Sequence, residues 1–126
     1  LCIGSRFIKK EGFQSSPLRR AGIKYFSQLI DLLTGQKITD PTSGFRACNK
    51  KVISLFAHDY PRDYPEPESV VNLKKNGLTV CEIPVSMNKR EEGRSSITPL
   101  KSIYYMIKVS LAIIITSIYK NRKVRD

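Results

Sequence analysis

Apolar positions along the chain follow the helical period in some stretches and form β-branched runs in others. In SSPLRRAGIKYFSQLIDLLTG, residues 15–35, Leu18, Gly22, Tyr25, Phe26, Leu29 and Leu33 fall on one face, and Arg20, Lys24 and Asp31 on the other. That spacing predicts a helix that packs by one side and turns a basic back to solvent. Ser16 as N-cap, Pro17 at the first helical position and Gly35 just past the end bound it. A shorter helix is expected over NKKVISLFA, with Val52, Ile53 and Phe56 inward.

In YPRDYPEPESVVNLKKNG, Pro61, Pro65 and Pro67 hold the backbone extended before a helix with Pro67 in its first turn and Gly77 as its stop. Glu66 and Glu68 then sit at a helix N-terminus. LTVCEIPVSM reads as a strand, and Pro84 within it predicts an edge or a bulge. The opening LCIGSRF reads as the end of a strand running into a loop, without an initiator Met or a basic leader, so the chain is expected to begin inside a fold.

The last element, PLKSIYYMIKVSLAIIITSIYKNRKVRD, is a long helix with Leu100, Ile103, Tyr104, Ile107, Leu111, Ile114, Ile115 and Ile118 at helical spacing. Its apolar stretch from Ile103 to Tyr119 contains Lys108 and is short for a membrane span, for which about 20 residues are usual. Two placements remain open. The helix lies at an anionic membrane surface with KNRKVR facing the head groups, or it docks on the protein body or on a second copy in a homodimer.

Charge sharpens the picture. Of 126 residues 22 are basic and 11 acidic, a net +11 that calls for an anionic partner such as a phosphate, a nucleic acid or an acidic membrane. Cys2, Cys48 and Cys81 are far apart and lack a C-x-x-C pair, so buried free thiols in a reducing compartment are expected, with no metal site.

Three loops concentrate chemistry. In DPTSGFRA, residues 40–47, Asp40 before Pro41 starts a turn, and Gly44 allows either positive φ or the close approach of a ligand. A guanidinium at Arg46 could hold Asp40 ionised and oriented. In YPEPE, residues 64–68, the two carboxylates serve either as helix caps or as a general base. In REEGRSSI, residues 90–97, Arg90, Arg94, Ser95 and Ser96 around Gly93 offer the fork, hydroxyls and backbone donors that a diphosphate needs, or form a solvated basic loop.

The order D-P-T-S-G-F-R-A, Y-P-E-P-E, E-I-P-V-x-M-x-x-R-x-x-G-x-S-S-I resembles the C-terminal half of a family 2 glycosyltransferase of the dolichol-phosphate-mannose-synthase-like branch. The similarity runs from GSRF, residues 4–7, through nearly the whole chain. It implies an α/β fold, the acceptor-side half of a GT-A enzyme with a Rossmann-like mixed sheet, over residues 1–98, followed by an amphipathic C-terminal helix with a basic tail over 99–126. It implies sugar transfer, with inversion, from a nucleotide-sugar donor to a polyprenyl-phosphate or bacterial polysaccharide acceptor, as in cell-wall polysaccharide biosynthesis, by a peripheral enzyme on the cytoplasmic face of the membrane.

Carried onto this chain, the resemblance implies that Asp40, Glu68 and, second to it, Glu66 are the catalytic acids on the acceptor side. It implies that Arg46, Ser43 and Gly44 support the acceptor loop, and that Arg90, Gly93, Ser95 and Ser96, with Arg6, bind the donor diphosphate. The family's D-x-D acids, which hold Mg²⁺ or Mn²⁺, have no counterpart here, so the metal ligands are expected in a donor-binding half that this chain lacks and the chain alone is expected to be inactive. The competing readings are a noncatalytic membrane-anchoring or dimerisation module and a basic nucleic-acid-binding domain. The aromatics argue against the latter, since none interleaves with a basic strand as single-strand binders require.

Overall fold

Three short strands and four helices make up the described residues, 1–89 and 99–119, of the computed structural model. The central strand β1, Cys2–Ser5, pairs antiparallel with β2, Arg46–Ala47, and parallel with β3, Cys81–Pro84, giving the order β2-β1-β3. Pro84 therefore stands on an outer strand of this sheet, where a missing N–H interrupts no ladder. A mixed α/β architecture is what the sequence predicts, and among the described residues it is what the chain forms.

Helix α1, Pro17–Thr34, is bounded as its sequence requires. The Ser16 side chain accepts from the Arg19 N–H at 3.3 Å, and Gly35 takes the left-handed conformation (φ 66°) while its N–H reaches the Asp31 carbonyl at 2.7 Å. Helix α2, Lys50–His58, is capped by the Asn49 side chain on the Val52 N–H at 3.0 Å. Helix α3, Pro65–Lys75, starts two residues earlier than Pro67 suggests, because Pro65 itself suits a first helical position. Gly77 follows its end with φ 71°. Helix α4 spans Pro99–Ile118.

One core joins these elements. Leu1 before the central strand, Ile3 within it and Val80 before β3 meet Phe26 and Ile30 of α1, Val52 and Leu55 of α2, Val70, Val71 and Leu73 of α3, and Val109 and Ile113 of α4. Helices α1, α3 and α4 pack on one another, and Gly22 of α1 faces Met106 of α4: a Cβ there would stand 3.3 Å from Met106 Sδ. Edge-to-face contacts of Tyr105 with Phe26 and with Tyr64 fill the same seam.

The buried arcs differ from the apolar stripes in three helices. In α1 the buried residues are Ile23, Phe26 and Ile30, while Leu18 is 75% exposed and Tyr25 and Leu33 also reach solvent. In α2, Val52 and Leu55 are buried and Phe56 packs beside them, but Ile53 faces out. In α4 the packed face is Tyr105, Met106, Val109 and Ile113, so Leu100, Ile103, Tyr104, Ile107, Leu111, Ile115 and Ile118 point away from the body. The reason is common to all three: the apolar sector is wider than the arc that a neighbour covers, and periodicity does not say which part is covered. Helix α4 consequently carries apolar side chains on its outward side as well as on its packed one, with Lys101 and Lys108 exposed among them.

The thiols are also corrected. All three cysteines are free, but Cys48 and Cys81 are exposed and Cys2 is half-buried: Cys81 stands on one outer strand and Cys48 just past the end of the other.

Ile30→Ala removes a fully buried side chain and should destabilise the fold by about 2–5 kcal/mol. Leu32→Ala, two positions along but 83% exposed, should change stability by no more than about 0.5 kcal/mol. Urea denaturation of both variants checks this; equal losses would contradict the assigned face of α1.

Candidate functional site

The DPTSGFRA loop lies across the C-terminal end of β1 and is held from every side. Asp40 starts the expected turn, with the Ser43 N–H on its carbonyl at 3.1 Å. Its carboxylate has no exposed surface and receives Arg6 in a fork: Nε to Oδ2 at 2.8 Å and Nη2 to Oδ1 at 2.9 Å. The Arg6 N–H (3.2 Å) and the Thr42 hydroxyl (3.4 Å) complete four donors on two oxygens, which is the full capacity of a carboxylate. A charge this deep in the protein requires such pairing, since an unpaired one would carry a large desolvation penalty.

Arg6 is the loop's cation, a part that the sequence suggests for Arg46. Arg6 adds a contact from Nη1 to the Ser15 hydroxyl at 3.3 Å, and Ser15 itself is held at φ 66°, in the left-handed region that non-glycine residues seldom adopt. In this structure the Arg6 guanidinium is turned to Asp40 and Ser15.

Arg46 works on the backbone. Among the described residues its guanidinium donates to the carbonyls of Ser43 (2.7 Å), Pro41 (2.8 Å) and Glu66 (2.8 Å) and to the Ser69 hydroxyl (2.7 Å). It thereby ties the loop to the first turn of α3. Burial lowers the Arg46 pKa from its ordinary value, and the Glu66 charge opposes that shift.

Glu82 on β3 is the anchor that sequence reasoning missed. Its carboxylate accepts the Thr39 N–H (2.9 Å), the Thr39 hydroxyl (2.9 Å) and the Asp40 N–H (2.9 Å). The signal lay in the strand alternation, because Glu82 stands in a run of apolar residues. Its register partner on β1 is Ile3, so it emerges beside the start of the loop.

Ser43, buried at the loop's centre, donates to the Gly4 carbonyl at 2.7 Å and accepts from the Phe45 N–H at 3.3 Å. Gly4 is the tight glycine here: a Cβ would stand 2.5 Å from Phe45 and 2.9 Å from Val85. Gly44 has neither of the features that would make it a turn glycine. Its φ is not positive, it is exposed, and a Cβ on it would meet nothing within 4 Å, so its open side remains available to a ligand. Phe45 beside it is 62% exposed.

The two acids of YPEPE stand in the first turn of α3, as expected, but face different neighbours. Glu68 accepts from the Thr116 hydroxyl of α4 at 2.8 Å, and burial pushes its pKa up. Because the folded pKa lies above the unfolded one, this group favours the fold at low pH and the contribution is lost as pH rises through the folded value. Glu66 stays half-exposed, and its charge favours the protonated form of both Arg46 and Tyr105, while its backbone carbonyl accepts from Arg46 at 2.8 Å. Arg90, Gly93, Ser95 and Ser96 lie outside the described residues. Among the described residues no three His, Cys, Asp or Glu side chains come together as a metal-ligand set.

No family model matches the chain, and no solved structure does. Over 86 residues, 66% of this chain, it is 30% identical to a UDP-N-acetylglucosamine–dolichyl-phosphate N-acetylglucosaminyltransferase of Methanococcus voltae. The match covers 34% of that enzyme, so the chain spans about a third of the length of the relative it matches. A relationship to a glycosyltransferase follows for this segment.

Replacing Arg6 by Met should destabilise the folded chain by about 3–5 kcal/mol, because it strands a buried carboxylate. Adding Asp40→Asn in that background should restore part of the loss, since it removes the unpaired charge. Urea titrations of the two variants test the pair; a cost below about 1 kcal/mol for Arg6→Met would remove it as the loop's anchor.

Proposed function

We propose that this chain is the acceptor-side part of a GT-A, family 2 glycosyltransferase that moves a sugar, with inversion, from a nucleotide-sugar donor to a polyprenyl-phosphate acceptor. A polysaccharide acceptor is the alternative within the same class. The observation that carries the proposal is the similarity to a transferase whose name specifies a dolichyl-phosphate acceptor. The geometry supports it: a loop pinned by Arg6, Glu82 and Arg46 turns its buried charges inward and leaves Gly44 and Phe45 as an open, rigid wall.

In this reading Asp40 is a positioning residue. All four of its acceptor sites are filled, and a general base needs a free face toward the proton it takes. A phosphate acceptor is already a nucleophile and requires no base. For a hydroxyl acceptor Glu66, a half-exposed residue beside the loop's Arg46, is the better placed of the three acids, since Glu68 is held by Thr116 of α4. Arg90, Gly93, Ser95 and Ser96 would bind the leaving diphosphate, where cationic donors stabilise the developing charge. Mg²⁺ or Mn²⁺ would polarise that diphosphate. Acids of the donor-binding half would hold the ion.

The acceptor's lipid chain explains the outward side of α4. Leu100–Ile118 is long and apolar enough to cross a membrane by length and composition. Its inner face, however, is packed on α1 and α3, and Lys75 of α3 holds the carbonyls of Thr116 and Tyr119 near its end. Spanning would draw Arg19, Arg20 and Lys24 of the neighbouring helix into the hydrocarbon, at a high desolvation cost. We therefore place α4 along the surface of an anionic membrane, on the cytoplasmic face, with Leu100, Ile107 and Ile118 in the interface and the basic residues at the head groups.

The test is release of nucleoside diphosphate from a panel of sugar nucleotides by the full-length protein, with membrane lipid extract and Mg²⁺ or Mn²⁺. Release from one donor that depends on lipid is expected, and Arg90→Ala should lower it on the order of 10²-fold without shifting the melting temperature. No release from any donor, by protein that is folded and membrane-bound, would leave a noncatalytic anchoring or dimerisation module as the better account.

A further inference from the structure

Cys2 and Cys81 are separated by most of the chain and brought together by the sheet. They are register partners on the parallel pair β1 and β3, so their side chains leave the sheet on the same face. Neighbouring strands run about 4.8 Å apart. That spacing falls within the Cα separation of about 4.4–6.8 Å that a disulfide spans. Cys81 Sγ also reaches the Leu1 carbonyl, next to Cys2 in the chain, at 3.6 Å. Cys81 is exposed and Cys2 half-buried, so small reagents reach the pair.

We propose that Cys2 and Cys81 form an oxidisable dithiol, a modification site at which a low-molecular-weight disulfide clips β1 to β3. The Cys81 thiolate attacks one sulfur of glutathione disulfide, forming a mixed disulfide and releasing one glutathione thiolate. The Cys2 thiolate then attacks the Cys81 sulfur, forming the Cys2–Cys81 bond and releasing the second glutathione. Two protein thiols are oxidised, one glutathione disulfide is reduced, and the two protons pass to the released thiolates or to solvent. Cys81 is the more exposed of the two thiols, which makes it the first attacker. The clip joins the two strands that carry the loop's anchors, since Arg6 follows β1 and Glu82 follows Cys81.

The test is oxidation of the purified full chain with glutathione disulfide, alkylation of remaining thiols and peptide mass mapping. A Cys2–Cys81 peptide lighter by two hydrogens is expected in the wild type and in Cys48→Ser, together with a higher melting temperature that dithiothreitol reverses. In Cys2→Ser, Cys81 should instead keep a stable glutathione adduct. Separate glutathione adducts on Cys2 and Cys81 in Cys48→Ser, or cross-links formed only through Cys48, would overturn the proposal.

Discussion

A carboxylate removed from water needs a cation within reach, and for Asp40 that cation is Arg6. The rest of the site depends on this pair. It fixes the end of β1 against the start of the DPTSGFRA loop and commits the most conspicuous charge of that loop to the interior. Glu82 and Arg46 act on what remains, one taking the loop's first N–H groups and the other its carbonyls. A polar loop thereby acquires a single conformation without a hydrophobic core of its own, and the side chains left facing outward are few.

Such a loop suits group transfer better than a flexible one would. Aligning an acceptor behind a reacting carbon needs a wall that does not move, and preorganised geometry supplies much of the rate advantage that positioning can give. The same scaffold accounts for α4. One side completes the core through Val109 and Ile113, and the other presents isoleucines and leucines outward, an arrangement that a lipid surface would cover.

The helices were legible where their ends are marked: Ser16, Pro17, Gly35 and Gly77 all stand where capping chemistry puts them. The turn at Asp40 and the edge position of Pro84 were legible for the same local reason. What escaped depends on contacts distant in sequence. Arg6 and Asp40 are 34 residues apart and Asp40 and Glu82 are 42, and no pattern within a loop says which arginine will reach its acid. The covered arc of each helix escaped for a related reason, because it is set by the neighbour and not by the helix's own apolar sector.

Amide hydrogen exchange at Thr39 and Asp40 tests the pinned loop most directly. Both amides belong to a loop, and Thr39 is exposed, yet each donates to the Glu82 carboxylate. The account predicts slow exchange at both, comparable to residues of β1, as expected for groups that open only with the core. Exchange as fast as in an unstructured peptide would show that the loop is not held, and the rigid acceptor wall would fall with it.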